Sequence, residues 1–165
     1  MRLITSDNIW SAREIALRSG LISEEKAEKE DTILDGKEFM RRVGGLRTLK
    51  NDFGEVIGEE IVNKREFEKI SKRLRVLARC TPDIKYLMVA GLKEHNLVAV
   101  TGHGSYDVLS LRKADVGLAF GRREGCEISK DNSDIVLLDE SLESLQITIM
   151  QGRAIYANVR KFLQL

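Results

Sequence analysis

The stretch Ala99–Gly121, AVTGHGSYDVLSLRKADVGLAFG, decides how this chain is expected to fold. It opens as an apolar strand, turns through Gly102 and Gly104, runs along a short helix and returns as a second apolar strand. Glycines at such a turn let the backbone approach a ligand closely. In parallel α/β sheets, ligands sit at the C-terminal strand ends, where this turn falls. Asp107 offers carboxylate oxygens four residues beyond His103. Mg²⁺ wants several hard oxygen ligands, whereas imidazole suits Zn²⁺ and other transition metals. One His–Asp pair is too little for a zinc site. On chemistry alone, His103 reads as a partly exposed loop residue and Asp107 as a weak metal ligand.

The rest of the chain repeats the pattern. Arg2–Ser6 reads as a strand, with Asp7 or Asn8 capping a helix through Leu17 that Gly20 closes. The charge run from Ser23 to Asp31 reads as a solvated loop. A short strand, a turn at Asp35-Gly36 and a helix start follow in TILDGKEF. Residues 44 to 63 read as an insertion, with NDFGEVIGEE a loose hairpin. NKREFEKISKRL is a basic amphipathic helix whose charges read as solvated, and RVLARC is a strand. Thr81 caps the next helix, with Pro82 at its first position and Asp83 in its first turn. LVAVTG and VGLAFG read as buried strands, GCEISKDNS as a short helix and DIVLLD as a strand. A long final helix follows, with a break near Gly152. Its Leu142, Leu145, Met150, Ile155, Val159 and Phe162 read as a core face. Apolar strands alternating with helices imply a parallel α/β sheet covered on both faces.

Three loops then gather at one sheet end. Thr5-Ser6-Asp7 offers hydroxyls, an acid and a helix start, suited to a phosphate or a ribose, or else Asp7 only caps its helix. Arg79-Cys80-Thr81 is followed by Lys85, a cation near a helix start that suits phosphate or is simply solvated. Thr101-Gly102-His103-Gly104 is the third.

Bulk composition excludes several classes. The chain has 165 residues, 42% hydrophobic and 32% charged, which suits one soluble globular domain. A net charge of +1 gives no reason to expect nucleic acid or an anionic membrane surface. Cys80 and Cys126 match no metal spacing and no secreted disulfide framework, so a reducing cytoplasmic setting is expected. No apolar run approaches the ~18 residues of a membrane span, and no signal peptide follows Met1.

Taken in order, TSDNIWSAREIALRSGLI, LRVLARCTPDIKYLMVAGLKE, VAVTGHGSYDVLSLRKADVGLAFG, GCEISKDNSDIVLLDESLESL and GRAIYANVRKFLQ resemble the phosphorylation domain of P-type ATPases. LDGKEF and LRVLARCTPDIKYLMV resemble the calcium-transporting branch, plasma-membrane type, in particular. The resemblance covers nearly the whole chain. It implies a Rossmann-like, haloacid-dehalogenase-type parallel sheet with helices on both faces. It implies a family that moves phosphate from Mg²⁺-ATP onto an aspartate in an Asp-Lys-Thr-Gly-Thr motif. No Asp-Lys-Thr occurs in these residues, so the sheet is expected to be incomplete, without its nucleophile strand. The resemblance divides the chain into a strand–helix unit (1–22), an insertion and helix (23–73), a core of βαβ repeats (74–140) and a C-terminal helix (141–165) that leads toward a missing membrane segment.

The family's motifs map residue by residue. Its Thr-Gly-Asp falls on Thr5, Ser6 and Asp7, Arg79 matches an arginine near the ribose, and Lys85 matches the lysine that neutralises the transferred phosphoryl group. Thr101 and Gly102 match the start of Thr-Gly-Asp-Gly-x-Asn-Asp, but His103 stands at the Mg²⁺-binding Asp and Tyr106 at the Asn, leaving Asp107 as the only remaining acid. Losing a metal-bound carboxylate and a positioned amide implies a disabled centre. The expectation is therefore a fragment or degenerate paralogue of a calcium pump, inactive alone. Its partners would be the rest of that pump, the nucleotide, actuator and membrane parts, on the cytoplasmic side of a membrane. The alternative is a free-standing non-catalytic module that binds an intact pump or another partner. A phosphatase using Asp7 is a third reading, opposed by Ile9 where that fold's usual nucleophile has a second Asp. An open sheet edge also implies self-association.

Overall fold

The first strand, β1 (Leu3–Ile4), runs through Thr5–Asn8 into α1 (Ile9–Arg18). These coordinates are a computed structural model that describes residues 1–121, 126–139 and 141–164. Of the two candidate caps, Asn8 closes the helix: its side chain accepts from the Ser11 N–H at 2.9 Å. Gly20, at φ +71°, turns the chain out of α1, and the Leu21 N–H reaches back to the Ala16 carbonyl. The charge run is not all loop. It carries a helical turn, α2 (Glu24–Ala27), with Glu24 and Glu25 at the end the helix dipole favours for anions.

β2 (Ile33–Asp35) leads into α3 (Gly36–Val43), capped by the Asp35 carboxylate on Lys37 N–H. β3 (Leu46–Lys50) and β4 (Val56–Ile61) form an antiparallel hairpin. It begins before the NDFGEVIGEE segment, which supplies its tip and second strand; the Asn51 side chain holds the tip by accepting from Phe53 and Glu55 N–H. Next come α4 (Lys64–Arg73), β5 (Val76–Ala78) and α5 (Pro82–Lys93). Thr81 stands at the α5 cap position but its side chain makes no capping bond.

β6 (Ala99–Gly102) is followed by a 3₁₀ turn (Ser105–Asp107), α6 (Val108–Lys113), β7 (Val116–Phe120), α7 (Glu127–Asp131), β8 (Ile135–Leu137) and α8 (Leu142–Leu163). Gly125, read from sequence as part of the α7 helix, and Leu165, read as part of the last helix, lie outside the described residues. The fold is α/β, and among the described residues every strand pairing apart from the hairpin is parallel. One parallel sheet has the order β1-β5-β2 and another β6-β7-β8.

The chain divides into two compact units, Met1–Val98 with Lys113–Asp115, and Ala99–Arg112 with Val116–Leu165. In the first, β5 is the central strand and faces core on both sides. Its period of two sends Val76 and Ala78 toward Ala12, Ala16 and Ile22, and Leu77 toward Phe39, Phe67, Ile70, Leu74 and Met88. Phe39 and Phe67 meet edge to face, ring centroids 6.1 Å apart. Gly91 lies against this cluster, where a Cβ would meet the Phe67 ring at 2.4 Å. In the second unit Leu111, Leu118, Ala119 and Leu137 are buried.

Four sequence readings are corrected here. The three loops expected at one sheet end do not share a sheet: Thr5–Asp7 and Arg79–Thr81 follow β1 and β5, whereas Thr101–Gly104 follows β6 of the β6-β7-β8 sheet. β6 is not a buried strand: it lies at a sheet edge, and Ala99 and Thr101 are exposed. α8 passes through Gly152 without a break. Its expected core face is largely bare, with Met150, Ile155, Val159 and Phe162 exposed and Leu145 partly covered. The Leu142 side chain lies outside the described residues. Periodicity marks an apolar face but does not say what covers it.

Candidate functional site

The C-terminal ends of β1, β5 and β2 bring together the Thr5–Asn8 loop, Arg79–Thr81 and Asp35-Gly36. Backbone pairing ties the first two: Arg79 N–H donates to the Asp7 carbonyl at 2.8 Å, and Cys80 N–H to the Thr5 carbonyl at 2.9 Å. Arg79 takes a left-handed φ of +54°, uncommon for a non-glycine residue, at the point where β5 leaves the sheet.

Within the first loop, the Thr5 hydroxyl donates to Asp7 Oδ2 at 2.8 Å, and Thr5 Oγ1 accepts from Asp7 N–H at 3.1 Å. Because Asn8 serves as the helix cap, the Asp7 carboxylate stays in the loop, and Ser6 and Asp7 are exposed. Arg79 Nη1 lies 3.5 Å from Asp35 Oδ2. Gly36 sits tight under this pair, since a Cβ there would stand 3.0 Å from the Arg79 carbonyl and 3.1 Å from that of Ala78. Cys80 is buried beneath the loop, and burial pushes its thiol up to about 12 against the opposing pull of the Lys85 charge. Lys85 follows on the first turn of α5, its backbone N–H donating to the Thr81 carbonyl at 3.1 Å. Thr5, Ser6, Asp7, Arg79 and Lys85 thus gather at one end of one sheet. The cluster offers hydroxyls, a guanidinium and an ammonium, groups that can bind phosphate oxygens, together with the Asp7 and Asp35 carboxylates.

Asp35 and Gly36 belong to this end too, although the sequence reading treated them only as a turn and a mark of resemblance. The signal was a strand ending in Asp-Gly before a helix, a spacing that puts a carboxylate at a strand end.

The second loop follows β6. Asp107 Oδ2 accepts from both His103 N–H and Gly104 N–H at 3.2 Å, so the carboxylate folds back on its own turn. Gly102 is buried against it: a Cβ there would stand 2.6 Å from Asp107 Cβ. α7 braces the turn from the other side, Ser129 Oγ donating to the Gly104 carbonyl at 2.8 Å and Cys126 N–H to the His103 carbonyl at 2.9 Å. His103, Tyr106 and Thr101 are exposed, Tyr106 by 70%. Among the described residues, no three His, Cys, Asp or Glu side chains gather in a group able to hold a metal ion. An imidazole and a carboxylate already committed to two amides do not fit Mg²⁺. No helix among the described residues is long and apolar enough to cross a membrane.

The sequence agrees along 99% of this chain with plasma-membrane calcium-transporting ATPases. It is 34% identical over 165 residues to calcium-transporting ATPase 9, plasma membrane-type, of Arabidopsis thaliana. It is 39% identical over 171 residues to plasma membrane calcium-transporting ATPase 1 of Gallus gallus, and 38% over 170 to plasma membrane calcium-transporting ATPase 3 of Homo sapiens.

The chain corresponds to a segment of the P-type calcium-transporting ATPases.

It spans about 13% of the length of these relatives. No protein-family model matches it. Among solved structures, the catalytic domain of the CPx-ATPase CopB-B is similar over 49% of this chain and 33% of its own, with 29% identity and a TM-score of 0.40.

Proposed function

We propose that this P-type ATPase segment is the 1–165 portion of a phosphorylation domain that, alone, performs no phosphoryl transfer. The observation that carries this reading is the replaced pair in a turn that keeps its glycines and its second acid: His103 and Tyr106 stand where the family it resembles has an acid and an amide, and Leu109 stands at its proline. Phosphoryl transfer depends on metal ions that neutralise developing charge. The chain's own residues fall short of that in this loop. In contrast, Thr5, Ser6, Asp7, Arg79 and Lys85 suit phosphate or nucleotide binding, with Thr101 and Gly102 supporting the turn. Mg²⁺ and ATP are the ligands the family uses. The remainder of the pump is the natural partner, on the cytoplasmic side of its membrane, with calcium the transported ion. Exposed apolar positions on α8 and the open edge of β6 favour that partnership and self-association in its absence.

Two measurements test it. The chain incubated with Mg²⁺ and terminally radiolabelled ATP, then acid-quenched, is expected to carry no label. Label that vanishes in Asp7→Asn would replace this reading with a phosphatase-like one. The segment grafted into an intact calcium pump is expected to form phosphoenzyme poorly. Restoring His103→Asp with Tyr106→Asn should raise the rate by ~100-fold or more, by the scale of a lost charge-stabilising group. No gain on restoration would overturn the assignment of the defect to this loop.

A further inference from the structure

Opposite the phosphate-suited end of the β1-β5-β2 sheet, at the N-terminal strand ends, lies a second concavity. It is an open depression of about 500 Å³, lined by Lys26, Lys29, Glu30, Thr32, Arg73 and Arg75. Its cations come from three separate segments: α2 and the turn after it, the last turn of α4, and the residue entering β5. Thr32 and Arg75 are fixed relative to each other, Arg75 N–H donating to the Thr32 carbonyl at 2.9 Å.

The charges do not cancel. The lining holds four cations and a single acid, Glu30, which lies 3.7 Å from Arg73. The neighbouring Asp31 is already committed, its carboxylate held by Arg42. Arg2, which enters β1, adds a further positive group. Its side chain donates to the Ser71 carbonyl at 2.7 Å, and its Nε is buried with no partner among the described residues. Burial first, and then repulsion from Arg75, disfavour the charged form of Arg2. A fold that crowds like charges around a concavity raises the local concentration of anions there. Arginine forks and lysine ammoniums together match phosphate oxygens in geometry and charge. The volume lies within the range of small-ligand sites and exceeds what one phosphate needs.

We propose that this depression is a binding site for a multiply phosphorylated group, separate from the nucleotide end of the sheet. Soluble polyphosphate compounds and phosphoinositide headgroups both present that chemistry.

The test titrates inorganic triphosphate into the full 165-residue chain at low salt, with amide NMR to locate the response. Saturable binding is expected, with shifts centred on residues 26–32 and 73–75. Lys29→Gln with Arg75→Gln should weaken it ~10-fold or more. Lys26→Gln with Lys29→Gln, both at exposed positions, should weaken it while preserving the fold. Vesicles of phosphatidylcholine with and without a phosphoinositide bisphosphate separate the sources. Binding to the doped vesicles that these variants lose assigns a headgroup, and triphosphate binding without vesicle binding assigns a soluble ligand. No saturable binding, shifts confined to residues 5–8 and 79–85, or equal affinity in both variants would overturn the proposal.

Discussion

Asp107 shows how one side chain can close a loop and thereby leave it unsuited to a metal. Its carboxylate accepts from His103 and Gly104 N–H, and Gly102 must lack a Cβ to allow this. Gly102→Ala is expected to destabilise the second unit by about 1–3 kcal/mol, read as a lower urea midpoint. Asp31 is the buried acid of the first unit, its side chain 1% exposed and bonded to Arg42, which also binds Glu66. The Arg42 hydrogen bond holds the Asp31 carboxyl below the usual carboxylate range. A depressed pKa stabilises the fold fully above the unfolded value of about 4, and that contribution is lost as pH falls through the folded value. Asp31→Asn should therefore cost about 1.5–3 kcal/mol at pH 7 and show a flatter acid limb below pH 4 in denaturation profiles. Cys80 behaves differently. With its thiol pushed up to about 12 and its side chain buried, it should react with a thiol reagent at pH 8 only on unfolding. Fast modification of Cys80 in the native chain would contradict its placement.

At the level of elements, β5 and α8 stand at opposite extremes. Each residue of β5 is fully buried, and Leu77 anchors the larger cluster. Leu77→Ala should cost about 2–5 kcal/mol in equilibrium unfolding. α8 has well-formed ends, with Ser141 accepting from Glu143 N–H and Arg160 and Lys161 in its last turn. Its apolar residues nevertheless face solvent, Ile155 at 63% and Phe162 at 76%. Ile155→Lys with Phe162→Lys is expected to leave stability within about 0.5 kcal/mol while reducing binding of a hydrophobic dye. A large loss of stability would mean that these positions are covered in solution.

For the molecule as a whole, the proposed phosphorylation-domain reading implies that exposed apolar surface awaits a partner. Sedimentation of the isolated chain should show mass rising with concentration, and the two α8 substitutions should lower it. A monomer at every concentration would count against that view. The sheet ends divide the first unit's chemistry, with the phosphate-suited loops at one end and the cationic depression at the other.

Much of this was legible in the sequence. The order of strands and helices followed from apolar runs, caps and glycines, because those are local preferences the backbone obeys within a few residues. Two of the three expected loops, Thr5-Ser6-Asp7 and Arg79-Cys80-Thr81, share a sheet end, because parallel strands of one sheet place their following loops together; the third, Thr101–Gly104, follows a strand of a different sheet. The motif comparison marked His103 and Tyr106 for the same reason: residue types are written in the chain. Tertiary structure decided the rest. Whether Asp7 or Asn8 caps α1 depended on which side-chain oxygen met Ser11 N–H, a matter of loop geometry. Asp35 and Gly36 joined the site only through the close approach of β5. The exposure of β6 and α8, and the gathering of Lys26, Lys29, Arg73 and Arg75, depended on what lies beside them in space. Periodicity tells which face of an element is apolar or charged; only packing between distant segments determines what that face meets.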